Sequence, residues 1–575
     1  MESLRMAAKL LFWTAGAAMM AACGQGGEPP AEEARHADLV LVNGKIVTVD
    51  DENPEAEALA ADDGRIVAIG SRAEVEGWIG QETEVIDLEG RLAVPGLIEG
   101  HAHFMGLGDS KIQLDLRGAE SWEEIVATVA EAATAAEPGE WIRGRGWHQE
   151  KWRTEPEPAV EGFPVHDALS AATPENPVLL THASGHALFA NAAAMELAGV
   201  DGDTPDPPGG DVLRDADGRA TGLFRETAEE LIHRARGTGG VPPEAEARRM
   251  VSLASEECLS KGVTSFHDAG SSFETIDFLR RMADEGELGV RLWVMTLGDD
   301  EALAERIGEV REATRNHPWV EVGGVKLWLD GALGARGAWL LEPYADQPDS
   351  TGLNLVPIER AREVAEVAIA NDVQLCIHAI GDRANREVLD LYEATFAEHP
   401  EKTDLRWRIE HAQHLHPGDV PRFAELGVLP AMQAVHCTSD GPWVPERLGE
   451  ERSREGAYVW RDLLDSGAVI VNGTDAPVEA VDPIANFHAA VTREMADGTA
   501  FYPEQRMTRE EALRSTTLDA AYGAFQEDVK GSLEVGKLAD VTVLSQDLLT
   551  VPEDRILDTE VVYTIVGGEV AYRRR

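Results

Sequence analysis

His101 and His103, in Leu97-Ile98-Glu99-Gly100-His101-Ala102-His103, have the spacing of a metal-binding pair. In extended chain, side chains two apart share a face, so both imidazoles can converge on one cation. With 17 histidines in 575 residues a chance pair is unsurprising, and His414-Leu415-His416 reads as that accident. Lys326, His378, His411 and Asp475 are further candidates, each on or just beyond a short apolar run. Singly, each has a plain structural reading: a histidine at a strand end also serves as a core or capping group, and Asp475 in Asn-Gly-Thr-Asp also suits an Asx-turn. Lys326 stands out because Val325-Lys326-Leu327-Trp328-Leu329 places an ammonium inside an apolar strand of a chain with only 9 lysines. Such a charge is costly to bury unless it is paired or neutralised. A depressed pKa would make the amine nucleophilic, and reaction with carbon dioxide would give a carbamate, a two-oxygen anion able to bridge two cations. The alternative is an ordinary amine paired with an Asp or directed into a wet lumen.

A scaffold must bring these residues together. Short apolar runs at 92–97, 263–267, 290–296, 325–329, 373–378, 405–410, 427–433 and 468–472 are separated by helix-length segments. The last seven begin 27, 35, 48, 32, 22 and 41 residues apart, the spacing of βα units, so the chain is predicted to be an α/β protein built on a closed (β/α)8 barrel. The long first gap predicts an insertion over about 107–245 that roofs the barrel mouth, with Trp147, Trp152 and Phe189 walling a pocket or forming a core. At the chain ends, runs at 39–49 and 58–69 are broken by Asn43-Gly44 and Asp63-Gly64, and runs at 539–544 and 561–572 turn at Gly567-Gly568. These are hairpin signals, and neither flank has enough strands to close a core. The expected order is therefore a β-sandwich begun by 37–93, the barrel over 94–529, and the sandwich completed by 530–575.

On such a barrel His101, His103, His378, His411 and Asp475 fall at the C-terminal ends of strands, the face where barrel enzymes carry their sites. Metal-type ligands on several strand ends of one rim require several independent accidents unless they share an ion. A divalent cation suits the imidazole and carboxylate set, zinc foremost, with one or two ions per chain. It would lower the pKa of bound water toward about 7 and supply hydroxide to a polarised carbonyl. His186, Arg336, Asp330, Gln433 and His436 lie on rim segments, where they position substrate or an oxyanion, or are structural.

The charge balance excludes several partners. With 51 basic against 104 acidic side chains the net charge is −53, a field that repels phosphate backbones and anionic bilayers. The 43% hydrophobic content is too high for a disordered acidic chain. Acidity with few lysines fits solubility in concentrated salt, although a GC-rich genome also trades Lys for Arg. At the N-terminus, Arg5 and Lys9 precede an apolar stretch over 10–22, too short to span a bilayer and suited to a secretory signal. The run ends in Met20-Ala21-Ala22-Cys23, which resembles a lipoprotein cleavage site, with Cys23 as the lipid anchor of an exported, envelope-bound protein (periplasmic or outer-membrane face) and residues 24–36 as a polar tether. A plain secreted protein is the alternative. Cys258, Cys376 and Cys437 make no disulfide framework.

From about Ala37 to the C-terminus the sequence resembles the amidohydrolase superfamily, specifically its family 3 branch, which includes N-substituted formamide deformylase. The resemblance rests on nine collinear stretches: VPGLIEGHAHF at 94, THASGHALFANAAAM at 181, GVTSFHDAG at 262, VKLWLDGALGARGA at 325, HAIGDRAN at 378, RIEHAQH at 408, MQAVH at 432, NGTDAPVEAVDP at 472 and GSLEVGKLADVTVL at 531. It implies that His101 and His103 bind a first metal, that Lys326, carboxylated, bridges, that His378 and His411 hold a second metal, and that Asp475 is both ligand and base. It also implies a small-molecule, amide-like substrate and hydrolysis of a C–N bond other than a peptide bond. The competing expectations are the same barrel cleaving an ester, lactone or phosphoester, and a lipoprotein that binds a ligand without turnover.

Overall fold

The computed structural model describes residues 36–237 and 241–575. The signal segment expected at 1–23, and all of the tether but His36, lie outside the described residues. Eight parallel strands form the central sheet: β1 (Leu97–Ala102), β2 (Val263–Ser271), β3 (Arg291–Leu297), β4 (Val320–Trp328), β5 (Gln374–Ala379), β6 (Arg408–His411), β7 (Leu429–Gln433) and β8 (Val471–Gly473). They are ordered around the sheet as in the chain. Beyond β8, the Asp475 amide donates to the His101 carbonyl (2.8 Å) and the His103 amide to the Ala476 carbonyl (2.7 Å), which brings the last strand against the first and nearly closes a barrel. That approach needs small residues: a Cβ on Gly100 would lie 2.5 Å from the Asn472 carbonyl, and one on Gly473 would run into Glu99 and the His101 backbone.

Helices between the strands cover the barrel in the expected way. In the helix Phe273–Asp284, Phe273, Ile276, Leu279 and Met282 are buried at three-residue intervals, with Ala283 four beyond Leu279, while Ser272 caps the first turn by accepting from the Thr275 amide.

Both chain ends contribute to a two-sheet sandwich beside the barrel. One sheet pairs Arg65–Gly70, Ala58–Asp62, Leu39–Val42 and Glu84–Asp87; the other runs Glu569–Arg573, Val561–Val566, Val541–Leu544, Leu92–Pro95, Lys45–Val47 and Glu55–Ala56. Leu41, Ile46, Leu59, Val541 and Ile565 fill the space between them. The buried Arg291–Asp540 pair (2.9 and 3.1 Å) joins the base of β3 to this sandwich.

Two local expectations need correction. The run at 92–97 is not the first barrel strand: Leu92–Pro95 pairs with Val541–Leu544 and Lys45–Val47 in the sandwich, and β1 starts afresh at Leu97 after Gly96. Continuous apolar character hid a change of sheet. Asn43-Gly44 is not a hairpin either, because the flanking strands enter different sheets. Asp63-Gly64 (φ 47° and 75°) and Gly567-Gly568 (φ 57° and 78°) do turn true hairpins, with both central residues left-handed.

Between β1 and β2 lies an insertion built on a six-stranded sheet whose central strands are Ala187–Ala190, Val178–His182 and Ile142–Trp147. Trp147 and Phe189 are buried in its own apolar core, with Trp152 packed against them. These aromatics are core residues and none lines the cleft over the barrel.

Candidate metal centre

The polar interior of the barrel is built from β6 and β1. Arg408 and Glu410, two apart on β6, point the same way and are fully buried as a bidentate pair (2.7 and 3.0 Å). Arg408 also donates to the Gly100 carbonyl (2.8 Å) and meets His267 Nδ1 at 3.1 Å, so its charge is satisfied on every side. Glu410 Oε2 in turn accepts from Nδ1 of His101. With its proton on Nδ1, His101 presents the lone pair of Nε2 to the mouth of the barrel, where that atom has no hydrogen-bond partner among the described residues and lies 3.6 Å from Asp475 Oδ1. His103, one residue past β1, brings Nε2 to within 3.2 Å of the same oxygen.

The later strands complete the ring. Strand alternation would send His411 away from the face used by Glu410, but His411 and Ala412 adopt left-handed backbone (φ 75° and 43°), which turns the imidazole to the mouth. Its Nδ1 donates to Gln433 Oε1 (2.8 Å), which leaves Nε2 as a lone pair. Gln433 itself is anchored through the Ala431 carbonyl (3.0 Å). The ring of His411 lies 4.7 Å from that of His101 and 4.5 Å from that of His378, centroid to centroid. Among the described residues neither nitrogen of His378 has a hydrogen-bond partner, although Nε2 lies 3.5 Å from Asp330 Oδ1, and Nζ of the fully buried Lys326 has none either, standing 5.2 Å from the Trp328 ring centre. Asp475 is left-handed too (φ 58°), on a turn pinned by Glu99, whose carboxylate accepts from the Thr474 amide (2.6 Å) and hydroxyl (2.8 Å).

Protonation follows from burial. His101, His378 and His411 are held well below the usual imidazole range because burial disfavours the cation, and mutual repulsion adds to it. Burial also lowers Lys326, although Glu410 and Asp475 oppose the shift. For Asp475 burial acts upward but is outweighed by the His103 hydrogen bond and the neighbouring imidazoles, leaving the carboxyl below its ordinary range. The result is neutral imidazoles and an ionised carboxylate, the forms in which these groups bind metals. His101 Nε2, both nitrogens of His378 and Lys326 Nζ are all buried without a hydrogen-bond partner among the described residues. Each such orphan costs roughly 1–3 kcal/mol, so so many in one place fit a cation-binding cluster. The ligand-type atoms of His101, His103 and Asp475 lie within 4.8 Å of one another.

The surrounding rim separates the remaining candidates. His186 lines the cleft above His378, with ring centres 5.0 Å apart, and its Nδ1 donates to Glu226 Oε2 at 2.8 Å. Burial acts to lower the His186 pKa, but the Glu226 charge outweighs it and raises the imidazole to about 9. His436 accepts at Nδ1 from Gln413 Nε2 (3.0 Å), so its Nε2 carries a proton, 4.0 Å from Asp475 Oδ2. Gln433 does not line the cleft; it stands behind His411 and fixes that ring. Arg336 does not reach the cleft at all, because its guanidinium is bound to Asp346 (2.7 and 3.2 Å). Asp330 accepts from the amides of Trp339, Ile380 and Gly381 at 2.8–2.9 Å, a loop-organising role beside His378.

Residues 84–572 match the model of the group described as Amidohydrolase family. The chain belongs to that family. Among relatives of this amidohydrolase, Protein LONG AFTER FAR-RED 3 of Arabidopsis thaliana is 34% identical over 557 residues, covering 93% of this chain and 92% of the relative. N-substituted formamide deformylase of Arthrobacter pascens is 28% identical over 549 residues, covering 93% and 98%. The crystal structure of a metal-dependent hydrolase from Pyrococcus horikoshii matches with a TM-score of 0.73 and 28% identity, covering 90% of this chain and all but a hundredth of that one (99%).

Several residues of the site escaped sequence reasoning. Glu410 and Glu99 stood inside quoted motifs, but only the closed barrel shows that they hold His101 and the Asp475 turn. Gln413, in the same stretch as His411, orients His436, and Glu226, outside all nine stretches, orients His186; no local spacing announces either contact.

Proposed function

We propose that this amidohydrolase hydrolyses a C–N bond other than a peptide bond, in an amide-like small molecule, at a divalent metal centre in the barrel mouth. The observation that carries the reading is the convergence of metal-type donor atoms from β1, β4, β5 and the turn after β8, with His101 Nε2 and those of His378 and Lys326 buried and lacking a hydrogen-bond partner among the described residues. The Arthrobacter pascens relative, named for deformylation of N-substituted formamides, supports the bond type.

His101, His103 and Asp475 would hold one ion, and His378 and His411 a second, with Lys326 between them; zinc suits this donor set best. When bound, such an ion polarises a carbonyl and makes water acidic near neutral pH. Asp475, ionised, takes a proton from the attacking water and returns it to the departing nitrogen, so one carboxylate serves as base and then acid. His436 Nε2–H and the protonated His186 stand on the cleft side as donors to the substrate's oxygen. Burial lowers the Lys326 pKa and so favours the neutral amine, which would add to carbon dioxide with loss of one proton, giving a carbamate that supplies two anionic oxygens. Export and lipid anchoring through Cys23 remain part of this proposal, on the sequence of the N-terminus alone.

Elemental analysis of the purified protein, mass measurement of the Lys326 peptide under non-acidic conditions, and a panel of N-acyl, cyclic-amide and ester substrates test the reading together. Stoichiometric zinc with amide turnover is expected. Ester turnover without amide turnover would reassign the bond, and a protein that takes up no divalent ion under any loading condition would remove the proposal.

A further inference from the structure

The cleft above the metal-type residues opens into a large lobe of about 490 Å³, bordered by the insertion. In its wall stands Arg145, on the insertion strand Ile142–Trp147. Its chain neighbour Arg143 is paired with Asp109 (2.7 Å) and Glu246 (3.1 Å). Arg145 makes no ion pair among the described residues: its one hydrogen bond is a long contact to the Ala183 carbonyl (3.4 Å), and its Nε is buried without a partner. Among the described residues the fully buried guanidiniums are each held by at least two groups, as Arg408 is by Glu410 and the Gly100 carbonyl and Arg493 by the carbonyls of Phe501 and Tyr458. In a chain of net charge −53, leaving a half-buried guanidinium unmatched is not for want of carboxylates.

The backbone aims this side chain. A β-bulge lies between Arg145 and Trp147, at Gly146 with φ 102°, and bulges redirect the adjoining side chain. The guanidinium then rests against the turn at Gly185 (φ 76°), where a Cβ would sit 3.4 Å from it. None of the nearby carboxylates pairs with it: Asp109 is bound by Arg143, Asp475 lies 3.2 Å from His103, Glu226 holds His186 through one oxygen, Glu229 faces His233 at 3.9 Å, and Asp299 also borders the lobe. A guanidinium always carries its charge and presents a planar fork of donors matched to a carboxylate.

Building on the hydrolase reading of the same cleft, we infer that Arg145 is a carboxylate receptor and that the substrate is an amide bearing a carboxylate on the substituent that enters the large lobe. The scissile carbonyl lies over the metal-type residues, and the carboxylate reaches out to the guanidinium and fixes the direction of binding.

A pair of probes that resist hydrolysis tests this: N-(phenylsulfonyl)glycine and its neutral carboxamide, titrated calorimetrically into the zinc-loaded full chain. Wild type is expected to bind the carboxylate at least ~10-fold more tightly than the carboxamide. Arg145→Gln should bring the two within about twofold of each other while leaving carboxamide affinity unchanged, which also reports an intact fold, and Arg145→Lys should keep an intermediate preference. Equal binding of both probes by wild type, binding of neither, or an undiminished preference in Arg145→Gln overturns the assignment. Turnover separates the two levels of the argument. Hydrolysis of neutral amides without any anion preference removes the receptor and leaves the hydrolase; an anion preference that depends on Arg145, with no amide cleaved, removes the hydrolase and leaves the receptor.

Discussion

Glu410 on β6 hydrogen-bonds Nδ1 of His101 on β1 across the inside of the barrel, and Arg408 grips the same carboxylate from below. This contact fixes the tautomer of the histidine and directs Nε2 at Asp475. Partners of this kind typically contribute 10- to 100-fold in metal affinity. Glu410→Gln is therefore expected to lower zinc affinity by about one to two orders of magnitude in competition with a chelator, with little change in fold. Glu410→Ala, which strands the buried Arg408, should instead lose roughly 3–5 kcal/mol of stability in denaturant unfolding. Wild-type zinc affinity in the Gln variant would show that the contact does not tune the site.

Asp475 has a separable role. Asp475→Asn keeps an oxygen near His103 but cannot accept the water proton, so turnover should fall by about 10² or more while most of the metal is retained. Parallel assays of metal content and kcat decide it, and near-wild-type turnover would strip Asp475 of its part as base.

Lys326 is the residue on which the metal count turns. Lys326→Met preserves bulk in the buried strand but supplies no bridging anion, so metal content on loading should drop by about one ion per chain relative to wild type. Loading of wild type should in turn respond to bicarbonate. Unchanged metal content in Lys326→Met would mean that the amine is structural.

His414 reports on acid sensitivity away from the metal-type cluster. Among the described residues neither buried ring nitrogen has a hydrogen-bond partner, the ring packs edge-on against Tyr458 at 5.4 Å, and burial lowers its pKa to about 3. Between pH 3 and the ordinary imidazole value near 6.5 the unfolded chain binds a proton there that the folded chain does not, so stability is complete above about 6.5 and is lost as pH falls. His414→Phe should change stability by no more than about 1 kcal/mol at pH 7 and flatten the decline in melting temperature from pH 6.5 to 4. Identical slopes for variant and wild type would assign the acid sensitivity to other groups.

Net charge makes a further prediction. Self-repulsion of 104 acidic side chains is screened by salt, so the melting temperature should rise from dilute buffer to molar KCl. A flat response would leave base composition as the reason for the scarce lysines.

The regular parts of this protein were legible along the chain because they follow from local periodicity: seven apolar runs at βα spacing became β2 to β8, and Asp63-Gly64 and Gly567-Gly568 became hairpins because two adjacent left-handed residues leave few other choices. The metal-type residues were legible for a related reason, since position at a strand end already implies a common rim. What the tertiary structure decided were relationships with no local signature. Closure of the barrel set Glu410 against His101 from 309 positions away. Left-handed backbone at His411 overrode strand alternation, and a change of sheet at Gly96 divided an unbroken apolar run. Arg336 and Arg145 look alike in sequence, yet Asp346 claims one, and a β-bulge beside Gly146 leaves the other facing the cleft. Pairing of charges is settled by proximity in space, and the order of residues along the chain does not carry it.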